Sequence, residues 1–250
     1  MNPYLNDSNP TNISQGNSHL DSEKSHSFNL SYSNFTQKFN INLSARYSFT
    51  NNSIEQVTEQ VKDTEIEGLQ NPTGKEVLYS TYQNIGKSRN ASLSGYVNWN
   101  ATSNTRIYAN LYGNYTYMEG ANGLKNDGWN LFAYGGAQQS LPHDWRISLN
   151  IYGQTPWIML QGKGSSFFDY GLSVNKSFLN KRLTLSAFAS NFFKKYTSPT
   201  SSIEGVGFTQ DSWNRYTRQR FGVSVSYRIG ELKASVKKAA RTISNDDVKG

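Results

Sequence analysis

Residues 39 to 49, FNINLSARYSF, alternate without a break. Phe39, Ile41, Leu43, Ala45, Tyr47 and Phe49 fall on one side; Asn40, Asn42, Ser44, Arg46 and Ser48 fall on the other. A period of two over this length predicts a strand with two chemically different faces. Residues 91 to 99 repeat the pattern, with Ala91, Leu93, Gly95, Val97 and Trp99 opposite Ser92, Ser94, Tyr96 and Asn98. Residues 105 to 117 place Ile107, Ala109, Leu111, Gly113, Tyr115 and Tyr117 opposite Arg106, Tyr108, Asn110, Tyr112 and Asn114. Further strands are expected at about 26 to 35, 129 to 139, 145 to 153, 167 to 176, 183 to 191 and 218 to 229, which makes nine.

The links between these strands alternate in length. Short ones fall at Thr36 to Lys38, Asn100 to Asn104, Leu141 to Asp144 and Ser177 to Arg182. Long polar ones cover about 50 to 76, 118 to 128, 154 to 167 and 192 to 217, rich in Gly, Asn, Pro and charge. One end of the sheet therefore carries tight turns and the other long loops, the layout of an outer-membrane barrel. Aromatics mark the ends of the apolar stripes. Phe39, Trp99, Trp145, Phe178 and Tyr227 lie near the tight turns, and Tyr47, Phe49, Tyr115, Tyr117, Trp129 and Tyr170 near the long loops. Two aromatic girdles about an apolar band ~25 Å tall are expected of strands tilted in a bilayer. A soluble β-sandwich also alternates, but has no reason to segregate its rings to strand ends.

Composition agrees. Only 36% of the 250 residues are apolar, yet 14% are aromatic (16 Tyr, 13 Phe, 5 Trp), and charged residues reach only 17%. Disordered chains are depleted in aromatics, and the abundant Asn (28) and Ser (32) are poor helix formers. With no Cys there is no disulfide framework and no thiolate nucleophile. His19, His26 and His143 are scattered, so no metal-ligand spacing and no nucleophile-base set is apparent; neither an enzyme nor a cofactor site is expected. Mean hydropathy is −0.67, and no run of 18 apolar residues exists, which excludes a membrane helix but not membrane strands. Nothing after Met1 reads as a signal peptide. The net charge of +7 is spread along the chain without a nucleic-acid-binding motif, so no nucleic-acid partner is expected.

Strand parity has a consequence for closure. With nine antiparallel strands the first and last run the same way and cannot pair antiparallel, while an open edge in lipid leaves N–H and C=O groups without partners at several kcal/mol each. The expectation is a partial, open sheet from a larger barrel. Residues 1–25 are then an extracellular loop remnant, 26–230 the transmembrane barrel segment and 231–250 a basic periplasmic tail. In that tail Leu232, Val236, Ala239 or Ala240 and Ile243 recur at helical spacing among Lys233, Lys237, Lys238 and Arg241, compatible with a short C-terminal amphipathic helix or with a solvated tail.

Two stretches carry a resemblance. Asn9-Pro10, Ile13 and GNSHLDSE at Gly16 to Glu23 resemble the GNP-x-L-x-PE signature of TonB-dependent outer-membrane receptors, with Ser18 and Ser22 where that family usually has Pro. SVSYRIGELKASVKKAARTISNDDVKG at Ser224 to Gly250 looks like the C-terminal strand and basic tail of the receptor subfamily known as the outer membrane protein β-barrel family, and NFFKKY at Asn191 to Tyr196 resembles the end of its penultimate strand. The resemblance implies an all-β, antiparallel transmembrane barrel of which this chain supplies about nine of 22 strands. It implies residence in the outer membrane of a Gram-negative cell, and uptake of a scarce nutrient such as a siderophore, cobalamin or glycan. The implied partners are outer-membrane lipid, the missing N-terminal barrel and plug segment, and, through the full-length receptor alone, the TonB complex.

Within the long loops, exposed rings beside a guanidinium suit a sugar or siderophore face. Trp157, Phe208, Trp213 and Arg215 are the candidate ligand-binding residues, with girdle anchoring or loop packing as the alternative. Arg46, Tyr108, Asn110, Arg146 and Asn150 point to the opposite, polar face, to contact a plug or to hydrate the interior. The competing function is a small standalone outer-membrane barrel acting as a pore or adhesin; a carbohydrate-binding β-sandwich is a third.

Overall fold

The computed structural model describes residues 2–120 and 123–230. The strands in chain order are β1 (Leu5–Asn9), β2 (Asn12–Gln15), β3 (Lys24–Phe35), β4 (Phe39–Lys62), β5 (Glu76–Asn100), β6 (Thr105–Gly120), β7 (Lys125–Leu141), β8 (Trp145–Gln154), β9 (Ile158–Met159), β10 (Gly162–Lys163), β11 (Phe167–Phe178), β12 (Leu183–Ser190), β13 (Tyr196–Thr197), β14 (Thr200–Gly205), β15 (Phe208–Trp213), β16 (Tyr216–Thr217) and β17 (Arg220–Tyr227). Among the described residues the only helical element is a 3-10 turn at Asp63–Glu65. The tail beyond residue 230, with the helix considered for it, lies outside the described residues.

The main sheet has 11 strands. Without the small β1–β2 hairpin these are the nine expected strands, paired antiparallel in the order β3, β4, β5, β6, β7, β8, β11, β12, β17. Register keeps the two faces separate along the whole sheet. Phe39 faces Trp99, which faces Ile107, while Asn98 faces Tyr108 on the other side. Among the described residues the sheet is open: β3 pairs only with β4, and β17 only with β12. The apolar face stays uncovered, with Leu30, Leu93, Leu111, Val223 and Val225 all more than half exposed. A water-soluble sandwich would bury such a face; a lipid-facing sheet would not.

The long links differ from expectation. Residues 50 to 62 are not loop but the continuation of β4, and β5 begins already at Glu76, the two strands pairing out to Lys62 and Glu76. The alternation was hidden because the register slips on both strands between Asn51 and Ile54, where Asn52 takes φ 57. Beyond that bulge, Ile54, Val57 and Val61 no longer follow period two. Likewise β6 and β7 run far into the stretch expected as a 118 to 128 loop, pairing as far as Glu119 and Lys125. The 154 to 167 and 192 to 217 links hold short hairpins: β9, β10, β14 and β15 form their own 4-stranded sheet, and β13 pairs with β16.

Buried apolar side chains occur where these extensions meet the other loops. Val57 and Leu160 pack together with Met118 and Leu124 against them. Ile13, Ile66 and Val77 form a second cluster with Leu5, Val61, Leu69 and Tyr79. Residues 2–25 are thus part of the loop end: β2 lies parallel to β5, with Ile13 opposite Tyr79. The side-chain amides of Asn17 and Asn84 hold the approach to β3 by donating to the carbonyls of Tyr82 and Asp21.

Candidate functional site

The polar face is not uniformly polar. Tyr108, Phe132, Tyr134, Tyr152 and Phe167 occupy its parity on β6, β7, β8 and β11, and their rings form a connected row. Centroids are 5.8 Å apart for Tyr108 and Tyr134, 6.3 Å for Tyr134 and Tyr152, 5.3 Å for Phe132 and Tyr152, and 4.9 Å for Tyr152 and Phe167. A cation closes each end: Arg106 lies 5.6 Å from the Tyr108 ring and Arg218 lies 5.6 Å from that of Phe167. The Tyr108 ring can lie flat because its neighbour across the strand is Gly136. A β-carbon there would fall 2.7 Å from the phenol oxygen. The Tyr108 hydroxyl donates to Asn150 Oδ1.

At the Arg218 end the wall opens into a cleft of about 830 Å³ lined by Asn150, Tyr152, Asp169, Asn191, Arg218 and Arg220 among others. Arg218 is paired with Asp169. Asn191, buried at φ 48, fastens this corner. Its Nδ2 donates to Asp169 Oδ1 at 2.7 Å and to the Arg218 carbonyl at 3.3 Å, and its Oδ1 accepts from Tyr170 N–H at 3.2 Å. Ring faces, amides and a paired guanidinium can hold a flat or polyhydroxylated surface by stacking and hydrogen bonding. Among the described residues no cluster of His, Asp and Glu could hold a metal ion. His19 is exposed in the first loop, His26 stacks on Phe49 at 5.0 Å, and His143 sits in the β7–β8 turn.

The residues chosen from the sequence fall elsewhere. Trp157 precedes β9 with its indole over Gly164, whose N–H donates to the Trp157 carbonyl at 2.8 Å. Phe208 opens β15 with its ring over Gly205, its cross-strand partner. Both rings therefore pack within the loop hairpins. Trp213 ends β15 and is 65% exposed. Arg215 lies 4.1 Å over the Tyr196 ring. None of the four lines the large cleft. Tyr108 and Asn150 do belong to the wall. The residues that sequence reasoning passed over are Phe132, Tyr134, Tyr152, Asp169 and Arg218; their signal was rings recurring at the parity otherwise held by Asn and Ser.

The girdle residues all lie on the apolar face. Near the tight turns, Phe39 faces Trp99, and Tyr227 faces Leu183, which in turn faces Phe178. Lys176 reaches between Trp145 and Phe178, 5.3 and 5.4 Å from their rings, and donates to the His143 carbonyl. That is a lysine snorkelling from an apolar surface to its polar edge. Near the long loops, Tyr47 and Phe49 are 6.3 Å apart and Tyr115 and Trp129 5.5 Å apart. Tyr117 donates to Glu119, and the Tyr170 hydroxyl accepts from Phe193 N–H at 2.9 Å.

The sequence profile of the outer membrane protein beta-barrel family matches residues 1–227. The chain belongs to this family. No curated protein matches it. Membership supplies what the bare sheet lacked, a solvent for its apolar face: outer-membrane lipid. In this outer-membrane β-barrel family member the ring-rich polar face is accordingly the one turned from lipid.

Proposed function

We propose that the chain is the C-terminal barrel part of a TonB-dependent receptor in the outer membrane of a Gram-negative cell. It serves uptake of a scarce nutrient such as a siderophore, cobalamin or glycan, and it is a transport protein without enzymatic activity. The observation that carries this reading is the direction of two strands. Between β3 and β17 lie seven others, every neighbour antiparallel, so the two edges run the same way. They cannot close on each other in the antiparallel manner of bacterial barrels, and an open edge in hydrocarbon is costly. An odd number of further strands restores closure, and thirteen would give the 22 strands of such receptors, a barrel wide enough for a plug. Ring-lined and amide-lined, the polar face would form lumen wall for the plug and for the passing ligand.

The test is the genomic sequence upstream of Met1. An in-frame plug domain and earlier strands are expected. A promoter and signal peptide directly before Met1, following an unrelated gene, would favour a standalone barrel and overturn the reading.

A further inference from the structure

Strand β5 carries two cations on its lipid-facing parity. Reading up from the tight-turn end, that face presents Trp99, Val97, Gly95, Leu93, Ala91, Arg89 and Lys87. Ten residues separate Trp99 from Arg89, which at ~3.3 Å per residue and a tilt near 45° is a height of about 23 Å. Arg89 thus stands at the upper margin of an apolar band ~25 Å tall, and Lys87 just above it, at headgroup level.

Arg89 does not stand alone. Its neighbours Tyr47, Tyr115 and Tyr117 come from β4 and β6, and with Ala91 they line a notch of about 270 Å³. Ala91 keeps the floor low between Tyr47 and Tyr115, its cross-strand partners. The nearby carboxylates are engaged: Glu119 pairs with Lys125 at 3.3 Å, and Asp127 accepts from the Tyr115 hydroxyl at 2.7 Å. Among the described residues no hydrogen bond or ion pair reaches the Arg89 side chain. An exposed guanidinium on a lipid-facing surface, ringed by tyrosines, lacks an anion.

We propose that Arg89 and Lys87, with Tyr47, Tyr115 and Tyr117, bind a phosphorylated lipid of the outer leaflet. The guanidinium and ammonium take the phosphate, the Tyr47 hydroxyl edges the headgroup, the Tyr115 and Tyr117 rings wall the notch while their hydroxyls stay on Asp127 and Glu119, and one acyl chain descends over Ala91 and Leu93. Arg suits phosphate through its planar fork of donors. The site rests on the proposed receptor reading, in which the long-loop end of the sheet is extracellular.

Detergent-solubilised full-length chain is mixed with micelles carrying bisphosphorylated lipid A, and bound lipid is read by native mass spectrometry. Dephosphorylated lipid and inorganic phosphate serve as separate arms. The double variant Lys87→Gln/Arg89→Gln is expected to bind lipid A about tenfold more weakly than the unsubstituted chain, about 1.4 kcal/mol. The charge-matched control Lys163→Gln/Lys181→Gln should bind it unchanged. Equal binding by both double variants overturns the site. Equal retention of dephosphorylated lipid, or displacement by inorganic phosphate at matched concentration, overturns its assignment to a phosphorylated lipid. Heat-dependent gel migration is measured in parallel. Its absence in the unsubstituted chain would overturn the barrel reading and the site together, whereas its presence with equal lipid binding overturns the site alone.

Discussion

Gln161 and Thr58, 103 residues apart, pair as two peptide groups would: Gln161 Nε2 donates to the Thr58 carbonyl at 2.8 Å, and Thr58 N–H donates to Gln161 Oε1 at 2.7 Å. Both residues are buried. The contact fixes the β9–β10 hairpin to the outer part of β4, beside the packing of Leu160 on Val57. It also couples a second layer, since Glu204 N–H donates to the Gln161 carbonyl at 2.7 Å and brings β14 with it.

Gln161→Ala should therefore release the four-stranded loop sheet while leaving the nine long strands paired. Each buried group left without a partner costs about 1–3 kcal/mol. The checks are faster hydrogen exchange at Thr58 and new proteolytic cleavage within 154 to 167 and 198 to 215. Gln161→Glu is a sharper probe. It can still accept from Thr58 N–H, but at neutral pH it sets an unpaired buried carboxylate oxygen against the Thr58 carbonyl and should release the sheet at least as far as Gln161→Ala. Unchanged cleavage in Gln161→Ala would mean that the apolar contact alone holds the hairpin.

Asp63 closes the tip of the β4–β5 hairpin. Its carboxylate accepts from Thr73 N–H and Thr73 hydroxyl at 2.7 Å each, and from Gly74 N–H at 2.7 Å. The Thr73 backbone donor, followed by the hydroxyl and the Gly74 donor, holds the carboxyl below its ordinary 3.8, against an opposing desolvation. A depressed carboxylate pKa stabilises the fold above the unfolded value, and this contribution is lost as pH falls through the folded one. The 66 to 75 loop should hold near pH ~5 and loosen at acid pH below the ordinary 3.8. Acid-protease nicking of that loop measures it. Asp63→Asn should be nicked at both pH values, and nicking of the unsubstituted chain that does not depend on pH would remove Asp63 as the cause.

How much of this was legible depends on whether the physical signal is local. The alternation from Phe39 to Phe49 is local, and with it came the strands, their faces and the ring positions at their ends. The tight turns were equally legible, because Pro142 and Asn180 lie between strands whose patterns stop on either side. The outer half of β4 was not, because the bulge at Asn52 disrupts its period. The docking of Gln161 on Thr58 leaves no trace in either neighbourhood: one polar residue among many finds a strand backbone 103 residues away. For the wall, rings at polar parity were readable on β6 as Tyr108 and Tyr112. Their continuation through Tyr134, Tyr152 and Phe167 needed the register, which only pairing supplies. Ring-bearing loop residues such as Trp157 drew attention by composition, yet a glycine opposite absorbs that ring.

Asn191 serves two roles that substitution can separate. Its side chain holds Asp169, Arg218 and Tyr170, and its backbone takes a left-handed φ of 48. Asn191→Gly removes the side chain but keeps the backbone comfortable; Asn191→Ala removes the side chain and adds about 1–2 kcal/mol for the left-handed conformation. Both should lower the temperature at which the folded band is lost on a gel, Ala further than Gly. Equal losses would place the whole effect in the hydrogen bonds.

The β7–β8 turn offers the opposite change. His143 and Asp144 both sit in the left-handed region, at φ 60 and 59, between the cross-strand pair Leu141 and Trp145. Asp contributes little else there: its pairing with Lys181 is 3.8 Å long and exposed on both sides, and such a pair is worth little. Asn tolerates positive φ better than His, and Gly better than Asp. His143→Asn/Asp144→Gly should therefore stabilise the folded chain by about 1 kcal/mol. The His143 carbonyl, which accepts from Lys176, is retained because it is backbone. A raised midpoint in the heat-dependent gel shift is the expected result. A lowered one would mean that Asp144 is held by its contacts with the neighbouring turn more strongly than its backbone is disfavoured.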